Sequence, residues 1–258
     1  MGRRTTTERD EKTATAGTGS AAARDIYKWL VLIVAGTSSF MSALDGSIIN
    51  IIIPQIQAQY QATMGDVSWV STAYLVTISS LLLSVGRIGD MWGYKWVFGS
   101  GFIIFGLGSL LCGLAPTLPA LIGGRLVQGV GAATMMALSP GLVSTTFPAR
   151  ERGRALGMQA TLTFTGLTLG PSLGGFISGQ WGWHWVFLIN LPVAAIGATL
   201  AFTRLRPTER RSGQVFDIAG ALLFAAGLAS LLLGLSQSET WGWADARIRW
   251  LLTGGILL

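Results

Sequence analysis

WLVLIVAGTSSFMSALDGSIINIII, residues 29–53, contains a single charged side chain, Asp45, among its 25 residues. An α-helix rises about 1.5 Å per residue, so about 20 apolar residues cross a hydrocarbon core of about 30 Å. The stretch is therefore long enough to span a membrane. A carboxyl group within it is the first sign of function, because an ionisable residue inside a membrane is costly and needs a partner or a cavity.

Six further apolar runs of similar length follow this first one. They are Val67–Val85, Trp96–Leu114, Leu118–Val143, Ala155–Ser178, Trp185–Thr203 and Phe216–Leu235. An eighth run begins near Ile248 and has eleven residues at Leu258, which is about 16 Å of helix. The sequence therefore predicts an all-α membrane protein with seven complete crossings and a partial eighth helix, and we expect it to be a fragment of a longer chain.

The composition excludes several classes of protein. Half of the residues are hydrophobic and 12% are charged, against about 25% charged in soluble globular domains, so a soluble enzyme is excluded and no catalytic residue is expected. One cysteine and one histidine cannot make an intramolecular disulfide or a multi-Cys or multi-His metal site. No cofactor is expected. Nucleic acid is not expected as a partner either, because basic residues stand in short clusters between apolar runs.

The basic clusters predict the topology. If the N-terminus lies in the cytoplasm, the cytoplasmic segments hold 15 of the 18 basic residues. Cytoplasmic loops of membrane proteins carry this excess of lysine and arginine. We therefore expect a multi-pass protein of the plasma (inner) membrane with a cytoplasmic N-terminus. The predicted segments are a disordered cytoplasmic tail (1–27), a six-helix transmembrane bundle (28–204), a basic cytoplasmic loop (205–215), and helix 7 with a truncated helix 8 (216–258).

Asp45 and Arg125 are the two ionisable residues deep within apolar runs. Each lies about seven residues, or about 10 Å, below the outer edge of its helix. We therefore expect them to share a cavity, lined also by Asn50 and Gln128. A pair that only holds two helices together is the alternative. In the functional interpretation the acid exchanges a proton, since burial favours the neutral form and a nearby guanidinium favours the carboxylate.

Four stretches resemble signatures of the major facilitator superfamily, in particular its 14-helix drug:proton antiporter branch. Helix 1 carries LDGSIIN with a following proline, and helix 4 carries RLVQGVGAA from Arg125. The helix 2–3 loop GRIGDMWGYK matches the family pattern at Gly86, Asp90, Gly93 and Lys95, while Met91 and Tyr94 replace the two usual arginines. Helix 5 carries the antiporter motif at Gly166, Gly170, Pro171, Gly174 and Gly175. The repeat of Gly166, Gly170 and Gly174 by itself predicts a smooth stripe that another backbone can approach closely.

The resemblance implies a six-helix N-terminal bundle with linker helices, driven by a proton gradient. The implied partners are the lipid bilayer, a proton, a lipophilic small molecule, and a missing C-terminal bundle or a second copy. Asp90 is implied to gate the cytoplasmic side, and the bend at Pro171 is implied to seal the cavity. The function expected is export of drugs or antibiotics by alternating access. An uptake symporter or facilitator of the same fold, and a non-transporting truncated membrane protein or interaction partner, are the alternatives.

Overall fold

A computed structural model describes residues 4–207 and 217–257, and it describes side chains from residue 25 onward except at 239 and 240. Within these residues the secondary structure is helical and contains no strand. The helices are α1 (Arg4–Tyr60), α2 (Met64–Trp92), α3 (Tyr94–Gly113), α4 (Leu118–Thr146), α5 (Ala149–Trp181), α6 (His184–Leu188), α7 (Asn190–Arg204), α8 (Ile218–Trp241) and α9 (Ala246–Leu257). The predicted all-α class is confirmed.

The first helix is longer than its apolar part. α1 begins at Arg4, inside the segment 1–27 for which the sequence predicts a disordered tail. The prediction followed polar composition, but a proline-free sequence that contains several alanines can extend a helix already nucleated by the apolar segment. The part long and apolar enough to span a membrane is Asp25–Tyr60. The predicted boundary near residue 28 therefore marks a change of composition along one helix.

The sixth predicted crossing is divided into two helices. α6 ends at Leu188 and α7 begins at Asn190, although the two together are long and apolar enough to span a membrane. Pro192 explains the break, because its nitrogen has no hydrogen to donate to the carbonyl of Leu188 and its ring crowds that carbonyl. The interruption places the side chain of Asn190 at the start of a new helix.

Length and apolarity select six segments of the described chain as possible membrane spans. α5, with 33 residues, is long enough but is not among them, because threonine, glycine and the charged residues near its start lower its mean hydropathy. α5 corresponds to the fifth of the seven crossings that the sequence predicts. α9 has 12 residues, as expected for a partial eighth helix.

Contacts at the two ends of the bundle show how the helices are aligned. At one end, Lys28 Nζ of α1 lies 2.7 Å from Glu151 Oε2 of α5. At the other end, the Tyr60 hydroxyl of α1 donates to the carbonyl of Ala115, 2.8 Å away in the α3–α4 turn. The basic residues near Lys28 of α1 and near Glu151 of α5 therefore lie at the same end of the bundle, as the topology argument expects.

Glycines let α3 and α4 approach each other closely. A Cβ atom at Gly124 would lie 2.8 Å from the sulfur of Cys112 and 3.0 Å from its backbone nitrogen. A Cβ atom at Gly108 would collide with the backbone of Gln128. Side chains larger than hydrogen would push these helices apart, so the centre of the bundle is closely packed.

α8 and α9 form a hairpin beside α2. Thr72 of α2 and Ser236 of α8 have hydroxyl oxygens 3.2 Å apart, and Gly255 of α9 packs against the backbone of α8. The carboxylate of Asp217 accepts the N–H of Gly220 at 2.8 Å and caps α8. Most of the predicted basic loop 205–215, and the predicted start of the seventh run at residue 216, lie outside the described residues.

Candidate functional site

Asp45 of α1 and Arg125 of α4 form an ion pair in the interior of the bundle. Arg125 Nη1 lies 2.6 Å from Asp45 Oδ2, and the two side chains are 1% and 0% exposed respectively. The structure thus brings together the two ionisable residues that the sequence places at one depth. A buried pair with this geometry is strongly coupled, since removing either partner leaves an uncompensated charge.

Gln128, Ser109 and Asn190 join Asp45 and Arg125 in one hydrogen-bonded cluster, which we call the Asp45 network. Gln128 of α4 donates through Nε2 to Asp45 Oδ1 (2.9 Å) and to Ser109 Oγ of α3 (2.8 Å). Its Oε1 accepts a hydrogen bond from Arg125 Nη1 at 2.6 Å. Asn190, the first residue of α7, donates to Asp45 Oδ1 at 3.0 Å. The carboxylate therefore links α1 to α4 and α7 through charge-assisted hydrogen bonds, and Gln128 extends the network to α3.

The guanidinium of Arg125 is held on its other sides by α2 and α6. Its Nε donates to the carbonyl of Val70 at 3.0 Å. Its central carbon lies 3.8 Å from the ring centroid of Tyr74 and 5.8 Å from that of Phe187, which are cation–π distances. No acceptor among the described residues reaches Arg125 Nη2. One nitrogen of the guanidinium is thus buried without an acceptor in the part of the chain that the structure describes.

Sequence reasoning did not assign a role to Asn190, Ser109 or Tyr74. Asn190 carried a usable signal, because a polar residue two positions before Pro192 falls where the helix must break. Ser109 carried none, since serine occurs in several of the apolar runs. Tyr74 is the single tyrosine within the seven runs, but its position along the chain does not indicate its partner. Their roles depend on which face of each helix turns towards Asp45.

The packing around Asp45 encloses its side chain together with those of Arg125 and Gln128, and the shared cavity expected there stays a prediction. Asp45, Arg125 and Gln128 are each 0% exposed, because the glycine contacts between α3 and α4 close the interior. Asn50 lies on the exposed surface of α1. Five residues turn an α-helix by about 500°, which leaves its side chain about 140° around the axis from that of Asp45.

The helix-5 glycines form a close crossing with the part of α1 that carries Asp45. A Cβ atom at Gly166 would lie 2.5 Å from the carbonyl oxygen of Phe40. At Gly170 it would collide with the hydroxyl of Ser47, and at Gly174 with Ile48. The predicted close approach of another backbone to this stripe is confirmed, and α1 is the backbone concerned.

Pro171 and Gly175 of the same motif lie outside this crossing. Both are exposed, and the nearest atom to a Cβ at Gly175 is a methyl carbon of Ile51 at 3.8 Å. That distance is an ordinary van der Waals contact. These two positions are therefore not required by packing within the described bundle, and the sealing role implied for Pro171 stays a prediction.

The α2–α3 turn depends on Gly93 and on a hydrogen bond to Asp90. Gly93 has φ of 93°, a left-handed conformation that disfavours other residues. The hydroxyl of Tyr94 donates to Asp90 Oδ1 at 2.6 Å. Tyr94 stands where the family pattern has an arginine, so the donor to Asp90 here is a neutral hydroxyl.

Gly86 and Lys95, the remaining residues of this motif, make fewer contacts. A Cβ atom at Gly86 would meet nothing within 4 Å, so packing among the described residues does not demand glycine there. Lys95 Nζ lies 5.6 Å from the ring centroid of Trp96. The motif residues are thus close along the chain but do not form one cluster, and the gating role of Asp90 stays a prediction.

Comparison with known families gives a match over most of the chain. The family model described as the Major Facilitator Superfamily matches residues 35–258. The match begins within α1 and includes the Asp45 network, the α2–α3 turn and the glycine crossing of α5.

Several curated proteins are similar to this chain. The Riboflavin transporter RibZ of Clostridioides difficile is 39% identical over 211 residues, which cover 81% of this chain and 46% of that protein. The Multidrug resistance protein Stp of Mycobacterium tuberculosis is 33% identical over 84% of this chain and 41% of its own length. The Methylenomycin A resistance protein of Streptomyces coelicolor is 34% identical over 92% of this chain and 50% of its own length. The chain spans about half the length of the curated relatives it matches.

Proposed function

Because this chain belongs to the major facilitator superfamily, a family of multi-pass membrane proteins, we propose that it forms half of a proton-coupled antiporter. The transporter exports drugs, antibiotics or other lipophilic compounds across the plasma membrane by alternating access. A second bundle, supplied by further polypeptide or by a second copy, completes it. The N-terminus lies in the cytoplasm. The names of the resistance proteins among the relatives support this substrate class.

The Asp45 network is the observation that carries the proposal. Asp45 accepts hydrogen bonds from Arg125, Gln128 and Asn190, so the carboxylate form is the one that this packing fits. A proton on Oδ2 removes the acceptor of Arg125 Nη1 and leaves a buried guanidinium without its counter-charge. Breaking a buried ion pair in this way costs about 3–5 kcal/mol. Proton binding therefore favours a second arrangement, in which the helices around Asp45 separate and admit water.

The close α1–α5 crossing supports movement of these helices as one body. Ser47, two residues after Asp45, hydrogen-bonds to the carbonyl of Gly166 at 3.4 Å, and Gly170 leaves no room for a side chain there. A change at Asp45 is thus transmitted to α5 through direct contact. α4 and α7, which are joined to Asp45 by hydrogen bonds, are the elements that separate from it in our proposal.

The test compares Asp45→Asn with Asp25→Asn in inverted membrane vesicles. Asn keeps the shape of the side chain but cannot exchange a proton, while Asp25 is an exposed carboxylate outside the network. A pH gradient is imposed, and accumulation of the fluorescent cation proflavine is followed. We expect accumulation with the native chain and with Asp25→Asn, and none with Asp45→Asn at equal protein content. Undiminished gradient-driven accumulation with Asp45→Asn refutes the proton role of this residue.

Uptake of a flavin is the second candidate function, favoured by the similarity to the protein named Riboflavin transporter. The direction of flux separates the two candidates. Riboflavin accumulation in right-side-out vesicles, without proflavine accumulation in inverted ones, supports uptake. The reverse result supports export.

A further inference from the structure

Two turns of the bundle are built from the same five-residue pattern, W-G-x-x-W. The pattern is WGYKW at residues 92–96, between α2 and α3, and WGWHW at residues 181–185, between α5 and α6. The glycine of each turn has a positive φ, 93° at Gly93 and 88° at Gly182. Both turns therefore need glycine at the same position of the pattern.

The two turns lie at opposite ends of the bundle. α2 runs back from the Tyr60 end of α1, so the first turn is at the end that carries Lys28. Trp183 of the second turn contacts Tyr60 at the other end, with ring centroids 6.0 Å apart. The tryptophans that begin and end the two patterns are each more than half exposed: Trp92, Trp96, Trp181 and Trp185. Indole rings favour the membrane–water boundary, so the turns mark its two sides.

Each pair of tryptophans lines a groove on the bundle surface. Trp92 and Trp96 line a groove of about 810 Å³ between α2, α3 and α4, which we call the Trp92 groove. Trp181 and Trp185 line a groove of about 400 Å³ between α5, α6 and α7, which we call the Trp181 groove. The same turn thus borders an open groove at each side of the membrane.

The lining of the Trp92 groove suits a hydrocarbon chain. From Trp92 it extends to Val85, seven residues earlier and about 10 Å along α2 towards the middle of the bundle. Its two hydroxyl side chains are Ser100 and Thr134. Each donates to a backbone carbonyl of its own helix, at 2.7 and 2.8 Å. The walls therefore offer a polar ligand no free hydroxyl hydrogen, and their other side chains are apolar.

A lysine stands at the mouth of the Trp92 groove. Lys95 Nζ lies 5.6 Å from the ring centroid of Trp96. None of the ion pairs among the described side chains includes Lys95, so no described carboxylate balances its charge. The matching position of the second turn is His184, whose ring stacks on that of Trp183 at 3.7 Å. Only the first of these two turns therefore contains a permanent cation.

We propose that the Trp92 groove binds a phospholipid with an anionic headgroup. Lys95 contacts the headgroup, Trp92 and Trp96 flank the glycerol region, and one acyl chain runs along the groove to Val85. A lysine near the membrane surface strengthens binding of an anionic lipid about fivefold. The Trp181 groove accepts lipid without selecting its charge. This inference adds a lipid site to the protein and is independent of the transported substrate and of the direction of transport.

The test titrates the purified full chain in detergent with dioleoyl phosphatidylglycerol or dioleoyl phosphatidylcholine. These lipids have the same acyl chains, and only the first has a net negative charge. Native mass spectrometry counts the lipids bound to each protein and gives the affinity for the first one. Lys95→Gln removes the cation. The matched control is His184→Gln, at the same position of the other turn.

We expect the native chain to bind phosphatidylglycerol about fivefold more tightly than phosphatidylcholine. Lys95→Gln should remove this preference and leave phosphatidylcholine binding unchanged, while His184→Gln should change neither affinity. Equal affinities of the native chain for the two lipids, an undiminished preference in Lys95→Gln, or an equal loss in His184→Gln overturns the proposal.

A further variant separates the groove from the charge alone. Ser100→Phe fills the groove and keeps Lys95, so it should remove most of the preference for phosphatidylglycerol. A native preference in this variant means that the lysine attracts lipid without the groove, and it overturns the assignment. If Ser100→Phe does not fold, Ser100→Leu fills part of the same space, and a reduced preference is required of it. Binding is measured without a pH gradient, so the result does not depend on the proton role of Asp45.

Discussion

Replacing Arg125 with methionine should open the centre of the bundle, and the single cysteine of the chain can report it. Cys112 is buried, and its sulfur lies 3.9 Å from Gln128 Oε1 within the Asp45 network. A thiol there reacts with maleimide only when the surrounding helices separate. The labelling rate in the folded protein therefore measures the local opening equilibrium.

The expected magnitude follows from the contacts of Arg125. Methionine removes the 2.6 Å ion pair with Asp45 and the hydrogen bonds to Gln128 and Val70. Asp45 keeps its two amide donors but loses its counter-charge, which costs about 3–5 kcal/mol for a buried pair. At about 1.4 kcal/mol per factor of ten, labelling should accelerate at least about a hundredfold.

A double variant separates charge from packing. In Asp45→Asn with Arg125→Met the buried charge is gone, and asparagine still accepts from Gln128 and Asn190, so labelling should return to within about tenfold of the native rate. Arg154→Met, at an exposed position on α5, is the matched control and should label at the native rate. If Arg125→Met labels no faster than the control, or the double variant no slower than the single one, the reasoning is wrong.

Three further predictions concern the α1–α5 crossing, the α2–α3 turn and the Asp45 network. Gly170→Val should lower the free energy of unfolding by about 1–3 kcal/mol through overpacking against α1. Gly175→Ala, whose Cβ would make only an ordinary contact with Ile51, should not lower the thermal unfolding midpoint. Tyr94→Phe removes a hydrogen bond to the Asp90 carboxylate and should destabilise the α2–α3 turn by about 1.5–3 kcal/mol, measured by thermal unfolding in detergent; an unchanged midpoint contradicts this. Asn190→Ala removes one donor to the central carboxylate, and maleimide labelling of the cysteine should accelerate about tenfold or more. A native labelling rate there means that this hydrogen bond contributes nothing.

The stripe of glycines on α5 was readable from sequence, but its partner was not. Because Gly166, Gly170 and Gly174 recur every four residues, they lie on one face of a helix, whatever the rest of the fold. Which backbone fills that face depends on the arrangement of all the helices, and only the structure shows that it is the Phe40–Ile48 part of α1. The same limit applies to Tyr94. In the sequence it is a departure from the arginine of the family pattern, and only the structure shows that its hydroxyl donates to Asp90.

The sequence by itself determined the kind of protein and the depth of its charges. Long apolar runs with few charges can be solvated only by lipid, and the cost of an ion there requires Asp45 and Arg125 to find partners. The tertiary structure decided that they pair directly, that Asn190 and Ser109 join the network, and that Asn50 does not. Side-chain direction around a helix axis and the close approach of helices at glycine are relations between distant segments, so neither is encoded in any one run of residues.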